Sequence, residues 1–155
     1  MVIETMKKCH IDEIAALEEL CFTTPWHKSS FEDELKNDLA HYFVALENGR
    51  VIGYCGFWQI FDEAHITNIA VSPDFRRNGV GKALLGKMFE VWGRMGINFA
   101  TLEVRVSNIG ARKLYESFDF YNSGVRKGYY EDTGEDAIIM WGNYSRGDYS
   151  EKNIK

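Results

Sequence analysis

The chain has 155 residues, enough for one domain with a sizeable core. It is 45% hydrophobic and 26% charged, with a formal net charge of -5, an acidic balance that argues against holding nucleic acid by charge alone. No apolar run approaches the roughly 18 residues of a membrane span. MVIETMKKCHIDEI lacks the charged start and apolar centre of a signal peptide. We therefore expect a cytoplasmic protein with neither a nucleic-acid nor a membrane partner. Cys9, Cys21 and Cys55 form no CxxC and have no histidine at zinc-ligand spacing, which reads as free thiols in a reducing compartment.

Taken in order, Val2 to Lys7 reads as an edge strand. Ile11, Ile14, Leu17 and Cys21 recur at helical spacing, with Glu13, Glu18 and Glu19 elsewhere, and Thr23-Thr24-Pro25-Trp26 breaks that helix. Ser29 to Leu39 reads as a second helix, with Ser29 and Glu32 at capping-box spacing. His41 to Glu47 and Val51 to Trp58 are strands, joined at Asn48-Gly49, the strongest short hairpin signal. Ala64 to Val71 is a further strand. From Gly81 a helix carries Leu84, Met88, Val91, Trp92 and Met95 on one face. Ala100 to Val106 alternates, with Thr101, Glu103 and Arg105 opposite the apolar set. Strand, helix, strand implies a parallel pair with a right-handed crossover. A helix over Asn108 to Phe118 follows, then closing strands over Phe120 to Lys127 and Ala137 to Trp141. Residues 1–144 read as one domain and 145–155 as a polar tail.

The informative stretch is Ile66 to Leu85, whose loop spells Arg76-Arg77-Asn78-Gly79-Val80-Gly81. A helix start offers unpartnered N–H groups and the positive end of the dipole. Glycines there let a phosphate approach, and Arg76, Arg77 and Lys82 add positive charge. A P-loop would need Ser or Thr after Gly81-Lys82, where Ala83 stands, and a dinucleotide fingerprint would need glycine at Leu84. On the loop alone, an anion cradle and a plain strand–turn–helix connection stay equally open.

The surrounding residues resolve this. Arg-x-x-Gly-x-Gly after Asn68-Ile69-Ala70-Val71 resembles the acetyl-CoA signature of the GCN5-related N-acetyltransferases. Leu102 to Asn108 and Ala111 to Glu116 resemble that superfamily's next motif. With Pro25-Trp26, Tyr129-Tyr130 and Glu135 to Met140, the set is most similar to the ribosomal-protein alanine N-acetyltransferase branch. The resemblance implies an α/β (α+β) fold: a mixed, mostly antiparallel seven-stranded sheet with helices on both faces and a splayed central parallel pair. It implies acetyl-CoA as co-substrate and no metal. Ile69, Ala70 and Val71 would pair with the pantetheine arm. Arg76, Arg77, Asn78, Gly79, Val80, Gly81 and Lys82 would hold the pyrophosphate, and Asn108 would contact the thiol end. Two positions depart from the family pattern: Asp119 stands where a glycine is usual, and Gly128 where a larger polar side chain is expected.

Acetyl transfer needs a neutral amine, and an α-amine (pKa about 8) loses its proton more readily than lysine (about 10.4). The resemblance makes Glu103 the general base and Tyr115 the acid that protonates the departing thiolate, with the N–H of Val71 stabilising the oxyanion. Read without it, Glu103 is a strand carboxylate paired with Arg105 or solvated, and Tyr115 a packing residue on a helix stripe. Trp26, Tyr129 and Tyr130 either line a peptide groove or pack. Glu131, Asp132, Glu135 and Asp136 make either a solvated hairpin tip or an attractor for a basic peptide. The expected partner is a protein or peptide N-terminus, that of a ribosomal protein. Acetylation of lysine or a small amine, and an acyl-CoA-binding regulatory module, are the alternatives.

Overall fold

The structure, a computed structural model, describes residues 1–144, so the expected 145–155 tail lies outside the described residues. The chain runs β1 (Val2–Thr5), α1 (Ile11–Cys21), α2 (Lys28–Lys36), β2 (Ala40–Glu47), β3 (Arg50–Ile60), β4 (Glu63–Val71), α3 (Val80–Met95), β5 (Phe99–Arg105), α4 (Ile109–Glu116), β6 (Tyr121–Tyr130) and β7 (Glu135–Asn143). The strands make one seven-stranded sheet in the order β1-β2-β3-β4-β5-β7-β6. Every neighbouring pair is antiparallel except β4 and β5. The β2–β3 hairpin turns on Asn48 and Gly49, with φ of 52° and 79°, the pair of positive angles a two-residue primed turn demands.

Alternating side chains send the sheet's two faces into two cores. Tyr42, Val44 and Tyr54 pack with Ile11, Ile14 and Leu17 of α1 and Phe31 of α2. Phe43, Cys55, Phe57, Leu102 and Val104 pack with α3 and with Tyr115 of α4. The buried stripe of α3 is Leu84, Leu85, Met88, Phe89 and Trp92. It is rotated from the expected face, so Val91 and Met95 sit at its margin. Removing a side chain such as Phe89 from this stripe costs about 3–5 kcal/mol.

One expectation fails at α2. The helix begins at Lys28 with His27 at its N-cap and no side-chain cap. Ser29 is already inside the first turn, where Ser30 N–H bonds to His27 O at 2.9 Å, so the Ser29–Glu32 capping box does not form. Asn37 ends the helix before Leu39, its Oδ1 accepting from Leu39 N–H at 3.0 Å.

The pairing between β4 and β5 lasts only three positions, from Glu63↔Phe99 to His65↔Thr101. Just beyond, β4 bulges: Gly56 faces Asn68 while Phe57 faces Ile66, leaving Thr67 as the extra residue. A bulge bends its strand and raises its twist, and here it carries β4 away from β5. The bulge is tied down from α2. The Tyr42 hydroxyl donates to Glu34 Oε2 at 2.8 Å. Its one proton spent, it accepts from the Thr67 hydroxyl, also at 2.8 Å. Trp58 Nε1 donates to the same Glu34 oxygen at 2.6 Å.

Candidate active site

The gap between β4 and β5 opens into two adjoining cavities that share Phe22, Ile69, Asn108 and Ala111 as walls. The larger, about 600 Å³, is lined by Ile69, Ala70, Val71, Arg76, Arg77, Gly79, Val80, Gly81, Lys82 and Asn108. Of the residues expected to meet a cofactor, only Asn78 is not in its wall. The smaller, about 330 Å³, is lined by Trp26, Glu103, Tyr115, Tyr129 and Tyr130. The two expected groups therefore fall into two chambers of one cleft.

The larger chamber is mostly backbone. Gly79 takes φ 80° at the N-cap of α3, a left-handed angle that glycine adopts freely. The first bond back along the helix is Ala83 N–H to Gly79 O at 3.0 Å, so the N–H groups of Val80, Gly81 and Lys82 have no helical acceptor. A Cβ on Gly81 would stand 3.3 Å from Leu114 Cδ2 and 3.8 Å from Val71 Cγ2, crowding the junction of α3, α4 and β4. Among the described residues Arg77 and Lys82 have no ion pair. Arg76 differs: its Nε donates to Val71 O at 3.2 Å and its Nη2 reaches Cys21 Sγ at 3.6 Å, bracing the loop against β4 and α1. Unpartnered N–H groups, a helix dipole and two uncommitted cations suit a pyrophosphate.

Backbone groups also face the gap. Ser72 N–H donates to Ile52 O across the β3–β4 ladder at 2.8 Å. By antiparallel alternation, Val71 and Ile69, paired with Gly53 and Cys55, point their N–H groups away from β3. Asn108 caps α4, its Oδ1 accepting from Ala111 N–H at 3.2 Å, and its amide nitrogen keeps no protein partner among the described residues.

The smaller chamber is made of side chains. Glu103 lies on β5, its Oε1 3.5 Å from Arg126 Nε of β6. The sequence suggests Arg105 as its partner, but Arg105 is engaged elsewhere. Tyr115 is 7% exposed, and burial pushes its phenol well above the ordinary value, so it keeps its proton. Burial likewise raises Tyr130 to about 12, against the opposing charge of Arg105, whose guanidinium stacks 4.0 Å from that ring. Tyr129 meets Tyr130 edge-on at 5.0 Å.

The β6–β7 turn is tied down beside this chamber. Arg105 Nη2 binds Asp132 at 2.8 Å and Nη1 reaches Glu135 at 3.5 Å. Ser107 N–H donates to Glu135 Oε2 at 2.7 Å. The Thr23 hydroxyl donates to Asp132, joining the α1–α2 turn to the β6–β7 turn. Hydrogen bonding from Thr23 and then Arg105 holds the Asp132 carboxyl below the ordinary range; that from Ser107 does so for Glu135. Within the acidic run Asp132 and Glu135 are thus committed to partners, while Glu131 stays exposed. Asp136 is also bound, accepting from Gly128 N–H at 2.9 Å. Gly128 takes φ 62° in an irregular stretch of β6, which accounts for glycine where a larger side chain is expected. Asp119, the other departure, adopts φ 67°, so the tight turn survives without glycine.

The sequence reading that sets Glu18 with Glu13 and Glu19 off the apolar stripe of α1 is overturned for Glu18. It is 1% exposed on α1 and lines the smaller chamber. Its place was readable: Glu18 stands seven residues after Ile11 and four after Ile14, so it falls on the apolar stripe of the helix.

The pattern of the Acetyltransferase (GNAT) family matches residues 11–120. The chain belongs to the GNAT acetyltransferase family. A Bacillus subtilis relative, provisionally named a [ribosomal protein bS18]-alanine N-acetyltransferase, is 43% identical over 90% of this chain and 93% of its own length. The Escherichia coli K12 [ribosomal protein bS18]-alanine N-acetyltransferase is 36% identical over 80% of this chain and 84% of its own. A crystal structure of the E. coli ribosomal-protein-S18-alanine N-acetyltransferase superposes with a TM-score of 0.86 at 32% identity, covering 93% of this chain and 94% of that one. This GNAT member is an acetyl-CoA-dependent N-acetyltransferase of the ribosomal-protein alanine branch, which sets aside the reading as a non-enzymatic acyl-CoA module. Its mixed sheet, with helices on both faces and a splayed parallel pair, is the expected GNAT architecture. Among the described residues no helix is long and apolar enough to cross a membrane.

Proposed function

We propose that this enzyme acetylates the N-terminal α-amine of a ribosomal protein that begins with alanine. The observation that carries the chemistry is that Glu103 and Tyr115, from different elements, line one small chamber. The acceptor class is supported by the names of the relatives and by the small size of that chamber, about 330 Å³, which favours a narrow chain terminus over a broad surface.

Acetyl-CoA, when bound, supplies the acetyl thioester. Val80, Gly81 and Lys82 N–H, with Arg77 and Lys82 side chains, would hold the pyrophosphate; Ile69 and Val71 would present backbone to the pantetheine arm, while Ala70 between them faces β3; Asn108 lies nearer the thiol. Glu103 takes a proton from the incoming ammonium, directly or through a water, freeing the nitrogen lone pair. As the N–C bond forms and the C–S bond breaks, Tyr115 gives its proton to sulfur. The proton shed by the acylated nitrogen restores the phenol. The N–H of Val71, turned into the gap, meets the charge that develops on the carbonyl oxygen. Trp26, Tyr129 and Tyr130 wall the acceptor.

The test is an acetyl-CoA turnover assay on peptides that begin with alanine, on matched peptides with a blocked α-amine and a free lysine, and on small amines. Turnover confined to the free α-amine is expected. Turnover only on the blocked, lysine-bearing peptide would overturn the acceptor assignment.

A further inference from the structure

The chamber that holds Glu103 contains a second carboxylate, and the two differ in what neutralises them. Glu103 has Arg126 beside it. Glu18 has only neutral donors: Asn68 Nδ2 at 2.7 Å and the Tyr54 hydroxyl on Oε1, and Trp26 N–H at 2.9 Å on Oε2. All three donate, a set that suits the charged carboxylate. Among the described residues no Lys, Arg or His forms an ion pair with it. Buried charges in proteins are ordinarily paired, because an unpaired one is costly. Here Glu18, 1% exposed, is a wall residue of the chamber where an amine must arrive. At neutral pH that amine is mostly an ammonium, its pKa being about 8, with three N–H donors. Oε2 has accepted one bond and retains capacity for another.

We propose that Glu18 is the acceptor-binding carboxylate: it receives the ammonium of the incoming chain terminus as its missing counter-charge, and Glu103 then removes the proton. This rests on the reading of the enzyme as an N-terminal acetyltransferase. It divides two tasks that one carboxylate performs poorly. A group that binds the ammonium tightly should stay charged throughout, whereas a base must accept and release a proton each turnover. The network also places the site, since Trp26 N–H and Asn68, at the β4 bulge, both converge on Glu18.

The experiment compares the affinity of the CoA-bound enzyme for two peptides of one sequence. One begins with alanine; in the other the α-amine is replaced by hydrogen. The wild type should prefer the amine by about tenfold or more, the range for hydrogen bonds to charged groups. Glu18→Gln, which keeps the shape and loses the charge, should reduce that preference to about threefold or less by weakening only the amine peptide. Glu18→Asp, which keeps the charge but withdraws it, should retain an intermediate preference. Equal weakening of both peptides by Glu18→Gln would mean that the carboxylate only braces Trp26 and Asn68, and would overturn the proposal. Should Glu18→Gln fail to fold, an undiminished preference in Glu18→Asp overturns it instead. A wild type that acetylates the alanine peptide while Glu18→Gln keeps the full preference removes Glu18 alone. A wild type that neither binds nor acetylates it removes the functional reading as well.

Discussion

The two chambers of the cleft are built by opposite means. The larger draws its donors from one contiguous stretch, residues 69–82, joined by Asn108 at the cap of α4, and mostly from backbone, so its recognition chemistry depends on a loop conformation and a helix start. The smaller gathers side chains from α1, the α1–α2 turn, β4, β5, α4 and β6, and is flanked by an ion pair and a hydrogen bond that join parts of the chain distant in sequence. A backbone-built site tolerates change in many side chains but not in glycine or strand register. A side-chain-built site can be retuned residue by residue. This is how one fold can keep a cofactor and exchange acceptors.

The contrast is sharpest in substitutions that should separate turnover from binding. Glu103→Gln should lower kcat by about 10²–10⁴-fold, the usual contribution of general acid–base groups, with acetyl-CoA KM essentially unchanged. Tyr115→Phe should lower kcat by about 10²-fold, again without loss of acetyl-CoA affinity. Near wild-type turnover in either variant removes that residue from the chemistry. Gly81→Val tests the other chamber: its side chain would press on Leu114, so acetyl-CoA KM should rise about tenfold while peptide KM holds. A selective rise in peptide KM instead would blur the division between chambers.

Smaller effects belong to the β6–β7 turn. Asp132→Asn loses its charge toward Arg105 and should raise peptide KM several-fold, leaving acetyl-CoA KM alone. It also has a pH signature. A carboxyl held below its ordinary range stabilises the fold fully above that range, and the contribution is lost as pH falls through the depressed value. Asp132→Asn should therefore lower Tm at about pH 7 and make no difference at about pH 2. Thermal melts of both proteins across that interval check the sign. Glu131, the one loop acid with neither an ion pair nor a hydrogen bond among the described residues, should matter least: Glu131→Gln should leave peptide KM unchanged at low salt.

The larger chamber was legible because its signals are local. Gly79 and Gly81 sit at fixed offsets from a strand end, and Asn48-Gly49 set the hairpin in the same short-range way. The smaller chamber was legible only in part. Glu103 and Tyr115 came from family resemblance; nothing in their spacing separates them from a strand carboxylate and a packed phenol. For Glu103 the sequence offers either Arg105, two residues on, or solvent, whereas Arg126 approaches from β6, on the far side of β7. The acidic loop is exposed at its tip, as charge runs usually are, but only the fold brings Arg105, Ser107 and Thr23 to Asp132 and Glu135. Glu18 carried a signal in its apolar stripe, yet its neutral partners come from β3, β4 and the α1–α2 turn.

The bond from Thr23 to Asp132 spans 109 positions of the chain, and that separation governs the order of assembly. Contacts between residues far apart in sequence form late, because closing a long loop costs entropy before any contact rewards it. During synthesis the loop before α3 and its helix can take shape while β6 and β7 are still unmade. The acceptor chamber must wait for the last hairpin of the sheet. A nascent chain would therefore own a place for the donor well before it owned one for the acceptor, and it would acquire transferase activity only with the final strands.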